Sequence, residues 1–116
     1  MKIVTWRIYD EGRPGGYSVL ADRLWPRGIS KDKAALDEWW KELTPSPALR
    51  TWFGHDPQKW DEFREHYLRE LSENEAQAKT YLKSVPPGKT LVLLYAAKDT
   101  AHSHALILKD YLEEQL

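Results

Sequence analysis

Leu91-Val92-Leu93-Leu94-Tyr95-Ala96-Ala97 decides the fold class. Seven consecutive apolar or aromatic residues without polar alternation describe a strand covered on both faces, which places it inside a sheet, and a parallel one when a helix follows. That helix is supplied by Ala101, His104, Ala105, Leu108, Tyr111 and Leu112, which share one face at helical spacing. Upstream, Pro86-Pro87-Gly88 ends an amphipathic segment carrying Ala78, Tyr81, Leu82 and Val85, for which Ser72 and Glu75 fit a capping box. Before it, Trp60, Phe63, Arg64, Tyr67, Leu68 and Leu71 predict a helix over 57–71, begun by the start signal Asp56-Pro57.

Toward the N-terminus, residues 3–9 alternate, with Ile3, Thr5 and Arg7 on one side and Val4, Trp6 and Ile8 on the other, as in a strand with one buried face. A glycine- and proline-dense turn over 11–16 separates it from a second short strand at 18–21, so the two either form a hairpin or lie apart. Pro26 and Gly28 keep 23–29 in a loop. Ser30 caps a helix from 31 to about 36, whereas 37–43 reads equally as continued helix or short strand. Ser46 and Pro47 start a further helix over 49–53. The pattern is α/β: a small mixed, largely parallel sheet with helices on both faces, built as a single compact domain over 1–116.

Composition limits the chemistry. The chain has 116 residues, 17 basic and 18 acidic side chains and a net charge of −1, which argues against a strongly basic nucleic-acid binder without excluding one. With no cysteine, disulfides, thiolate catalysis and cysteine-bound metals are excluded. No apolar run reaches membrane-span length and no signal segment follows Met1, so the expected setting is cytoplasmic, with no membrane partner. Mass scaling predicts a folded surface of about 6,600 Å².

Ligands of open parallel sheets sit beyond the carboxyl ends of the strands. This selects the loop after the second strand, with Asp22, Arg23, Trp25 and Arg27, and the loop after the apolar strand, with Lys98, Asp99 and His102. Arg23 and Arg27, four apart beside the rigid Pro26, suit a phosphate or carboxylate clamp; the alternative is that they pair with Asp22, Asp99 or helix C-terminal carbonyls and hold the loop shut. His102 is the candidate acid or base, with Asp22 or Asp99 orienting it, while His104 is read as a partly buried histidine on the apolar helix face. His55, before the N-cap Asp56, is placed to reach a ligand. Asp99, His102 and His55 match no strong metal-ligand spacing, so neither metal nor cofactor is expected. Trp25 is the tryptophan positioned for ligand contact by stacking or cation–π packing.

The run from Leu20 to Lys31, containing Asp22-Arg23-Leu24-Trp25-Pro26-Arg27-Gly28, resembles the YeaO-like family of bacterial proteins. So do Arg7-Ile8-Tyr9-Asp10, the stretches 43–46, 49–56 and 94–99, and Phe63 and Tyr67, so the resemblance covers almost the whole chain. It implies a compact bacterial α/β domain and leaves activity open. The family often has His followed by Asn near the last helix, where this chain has His102-Ser103. Distant relatives carry a cysteine near the last strand, where this chain has Tyr95.

Two functions fit these residues. The leading one is binding of an anionic small molecule, a phosphorylated metabolite or nucleotide, between the two loops, with or without catalysis. The alternative is a non-catalytic interaction module presenting Trp25, Trp39, Trp40, Arg27, Lys31 and Lys33 to a protein or nucleic acid, with Trp52 and Trp60 as further stacking candidates. Oligomeric state is not legible from these patterns.

Overall fold

Leu91 to Tyr95 of the apolar run are all buried in the computed structural model, which describes residues 1–116, while Ala96 and Ala97 lie past the strand end and are half-buried. The strand β4 (Leu91–Tyr95) lies inside a four-stranded sheet with β1 (Ile3–Arg7), β2 (Tyr17–Leu20) and β3 (Glu38–Trp39), in the order β1-β4-β2-β3. Leu93 pairs with Thr5 on one side and Val19 on the other. All pairings are parallel, so the sheet is not mixed, and the hairpin option for the first two strands is excluded because β4 separates them. The nine-residue connection over 8–16 crosses back from the top of β1 to the bottom of β2 without a helix. A fully extended stretch of that length reaches about 30 Å, enough for the strand height and two strand spacings.

Alternation along the strands divides the interior in two. Val19, Leu91 and Leu93 point into the larger core, which is covered by α2 (Pro47–Phe53), α3 (Trp60–Glu73), α4 (Glu75–Ser84) and α5 (His104–Glu114). Leu20, Val92 and Leu94 point the other way, where Ile8, Ile29 and Ala34 of the single-turn helix α1 (Lys31–Ala34) cover them, with Trp6, Leu36 and Trp39 packed alongside. Helices thus occupy both faces, very unequally. The folded surface of 6847 Å² matches the scaling expectation.

Local signals act largely as read. Ser30 and Ser46 accept backbone N–H bonds as N-caps, with Pro47 in the first turn of α2. Helix α1 stops early because Ala35 adopts a left-handed conformation, φ 45°. Residues 37–43 become the two-residue β3 followed by a 3₁₀ turn, Lys41–Leu43. Ser72 is not a cap: α3 runs through it to Glu73, and α4 begins after Asn74, which makes no side-chain cap bond. Consecutive strand residues face opposite ways. Trp40 is therefore wholly buried in the larger core, stacked on Tyr81 at 5.0 Å, while Trp39 packs against the smaller one. The pair cannot present one stacking surface. Trp60, the first residue of α3, packs against the larger core, whereas Trp52 in α2 is exposed, edge to face with His66. No helix is long and apolar enough to cross a membrane.

Candidate functional site

Because β2 and β4 are parallel neighbours, the loops following them leave the same end of the sheet. The backbone N–H of Ala21 donates to Leu94 O at 2.8 Å, and that of Ala96 donates to Asp22 Oδ2 at 2.9 Å. A cavity of about 540 Å³ opens above this junction. One wall is the segment from Asp22 to Arg27, a second runs from Ala96 to Asp99 with His104, and the third comes from Thr44, Pro45, Arg50 and His55 around α2.

The first wall is held by its own tryptophans. The indole N–H of Trp25 donates to Ile29 O at 2.7 Å, that of Trp39 donates to Asp22 O at 2.6 Å, and the two rings meet edge to face at 5.7 Å. Tyr9 donates its hydroxyl to Arg27 O at 2.7 Å, fixing the far end. The third wall turns on consecutive left-handed residues, Gly54 (φ 55°) and His55 (φ 56°), which end α2 and set His55 at the cavity. A glycine suits the first of these positions; histidine is among the side chains that tolerate the second.

Both carboxylates in the lining are committed to neighbours other than arginine. Asp22 accepts from Ala96 through Oδ2, and its Oδ1 lies 3.3 Å from His104 Nε2. His104 Nε2 is also 2.5 Å from Ala21 O, so this nitrogen carries the proton and donates it. Asp99 Oδ1 caps the 3₁₀ turn Thr100–His102 by accepting from the N–H groups of Ala101 and His102, and Oδ2 pairs with His102 Nδ1 at 2.8 Å. The bond from His102 is the main reason that the Asp99 carboxyl is held below its ordinary range.

The cations are left differently. Arg23 donates Nε–H to Pro45 O at 3.3 Å. Arg27, Arg50 and Lys98 make neither a side-chain hydrogen bond nor an ion pair, although all three line the cavity. Neither Arg23 nor Arg27 pairs with Asp22 or Asp99; Arg23 instead ties its loop to a backbone carbonyl, Pro45 O.

Asp22, Arg23, Trp25, Arg27, Lys98, Asp99 and His55 thus surround one space. His102 does not line it. Its ring packs edge-on against Trp60 at 5.3 Å and borders a side recess of about 80 Å³ together with His55, Arg50 and His104. Asp99 and His102 pair, but no group of three acidic or histidine side chains is placed to hold a metal ion. Sequence reasoning missed Arg50, Thr44 and His104 as cavity residues. Arg50 follows no strand, Thr44 lies beyond β3, a strand that 37–43 leaves undecided between helix and strand, and His104 reads as a residue of the apolar helix face, although Ser103, as N-cap of α5, signals that the helix begins at His104.

A family model described as the inactive DUF488-N3 subclade matches residues 2–116. The uncharacterized protein YeaO of Escherichia coli (strain K12) is 47% identical over 113 residues, 97% of each chain. This chain belongs to the YeaO-like DUF488 family. Within reach of the same DUF488 chain are uncharacterized proteins of Mycobacterium bovis (strain ATCC BAA-935 / AF2122/97) and Mycobacterium tuberculosis (strain ATCC 25618 / H37Rv), each 36% identical over 107 residues, 91% of this chain and 89% of theirs. No solved structure matches it. In this DUF488 member, every cavity-lining residue except His104 falls in the stretches 20–31, 43–46, 49–56 and 94–99 that carry the YeaO-like resemblance.

Proposed function

We propose that this DUF488-family chain binds an anionic small molecule, a phosphorylated metabolite or nucleotide, in the cavity beyond β2 and β4. The observation that carries the reading is the imbalance of partners: Arg27, Arg50 and Lys98 face the cavity unpaired while Asp22 and Asp99 are held by histidines and backbone N–H groups. Clustered cations in a partly enclosed space raise the local concentration of anions, and free guanidinium forks bind phosphate or carboxylate oxygens in pairs. Arg23, anchored by Pro45 O through Nε, keeps its two terminal nitrogens for the ligand.

Binding without turnover is the better form of this reading. His102, the acid–base candidate, borders the recess and not the main cavity, and the matching family model is described as an inactive subclade. Asp22, His104, Asp99 and His102 then act as struts that hold the loops open.

The test is thermal unfolding of the wild type, Arg27→Ala and Arg50→Ala against pyrophosphate, sugar phosphates, nucleotides and dicarboxylates. A ligand at 100 times its Kd stabilises the fold by about 2.7 kcal/mol, several degrees for a domain of this size. The expected result is a shift for one phosphorylated class that both variants lose while remaining folded. No shift with any anion at low salt would sink the proposal.

A further inference from the structure

We infer that the ligand is a nucleoside monophosphate, with its base against Trp25 and Leu24 and its phosphate among Arg27, Arg50 and Lys98. This rests on the anion-binding reading above and specifies it. Three features of the cavity converge on that class.

The first is charge. Four cations against two carboxylates leave the lining with a formal charge of +2. A phosphate monoester near neutral pH carries about −1.5 to −2, so one such group balances the site, whereas a triphosphate would overfill it.

The second is size. A volume of about 540 Å³ falls within the ~300–1,000 Å³ of pockets that enclose whole small molecules. Inorganic phosphate alone would leave most of it to water.

The third is the apolar rim. Leu24 is 67% exposed and Trp25 36% exposed beside the cations, an arrangement that leaves large apolar side chains facing water. Trp25 is also immobilised, by its indole N–H bond to Ile29 O and its edge contact with Trp39, so a flat ring stacking on it pays little ordering cost. Indole faces stack on any nucleobase. A sugar phosphate has no flat ring to lay on that indole face.

The experiment is calorimetric titration at low salt and neutral pH with guanosine and cytidine 5′-monophosphate, ribose 5-phosphate and inorganic phosphate. Both nucleotides are expected to bind at least about ten-fold more tightly than ribose 5-phosphate. Trp25→Ala should erase that advantage without changing the affinity for ribose 5-phosphate, and Trp25→Phe should keep most of it. Should Trp25→Ala unfold, Leu24→Ser carries the same test at an exposed position, with a partial loss of the nucleotide advantage. An advantage below ten-fold, or one that survives both Trp25→Ala and Leu24→Ser, overturns the inference while leaving anion binding standing. Absence of binding by every phosphate compound removes both. A 5′-phosphorylated oligonucleotide binding ten-fold more tightly than the monophosphates would also overturn it, in favour of a nucleic-acid end.

Discussion

Asp22 Oδ1 lies 3.3 Å from His104 Nε2 at the floor of the cavity, while Oδ2 of the same carboxylate accepts the N–H of Ala96. One side chain at the end of β2 therefore links the end of β4 and the first turn of α5. It defines the distance between the two loops that carry the cations.

Removing that link has a direct cost. Asp22→Ala leaves the N–H of Ala96 without its acceptor in a half-buried place and removes the contact with His104, which keeps its bond to Ala21 O, a loss of about 1–3 kcal/mol. Asp22→Asn keeps an acceptor and should lose less. Urea unfolding checks this: the midpoint should fall in the order wild type, Asn, Ala with an unchanged slope.

The unpaired cations repel one another in the absence of ligand. Arg50→Ala and Arg27→Ala, both at exposed positions, should leave stability within about 0.5 kcal/mol of wild type, with a small rise in Tm at low salt. The rise should vanish in 0.5–1 M salt, where screening acts over only a few ångströms. A drop in Tm of several degrees would instead identify these arginines as structural.

Gly16 sits where β2 enters the sheet against β4. A Cβ at this position would stand 2.3 Å from Thr90 O, the acceptor of the Tyr17 N–H, and the neighbouring atom is backbone that cannot yield. Gly16→Ala should therefore destabilise the chain by about 2–3 kcal/mol, whereas Gly15→Ala, with open space around it, should be near neutral. Thermal melts of the two variants separate these outcomes.

Alkaline pH should unfold this protein readily. Tyr17, Tyr67, Tyr81, Tyr95 and Tyr111 all titrate above their ordinary value of 10.0, chiefly because burial disfavours the phenolate, with Glu38 adding to the effect at Tyr17 and Glu42 at Tyr81. Below pH 10 these groups are protonated in both states and contribute fully. Above it the unfolded chain releases protons that the folded chain retains, so stability falls as pH rises. The urea midpoint should be flat from pH 7 to 9 and decline steeply beyond 10. Tyr67→Phe should lessen the slope, while forfeiting at neutral pH the buried hydrogen bond that the hydroxyl donates to Leu43 O.

Legibility followed the range of the forces involved. The N-caps Ser30 and Ser46 are short-range bonds to N–H groups three residues on, and both were readable in the sequence. Ser72 was misread because a capping pattern inside a continuing helix looks the same in one dimension. Residues 37–43 were ambiguous because β3 exists only through its pairing with β2. At the cavity, the cluster after β2 and β4 was found from strand-end chemistry, but Arg50 and Thr44 come from a part of the chain whose approach depends on how α2 docks.

A strand buried on both faces inside a parallel α/β sheet was legible from residues 91–95 alone, because a run of apolar residues has no solvated face to offer. Asp22, Arg23, Arg27, Lys98 and Asp99 were legible as strand-end residues because each stands in the loop that follows a strand. Which charged side chains find partners depends on the packed structure. Asp99 and His102, three residues apart, pair locally, but Asp22 meets His104 across 82 residues of chain, and the same packing brings Arg27, Arg50 and Lys98 to one cavity without partners.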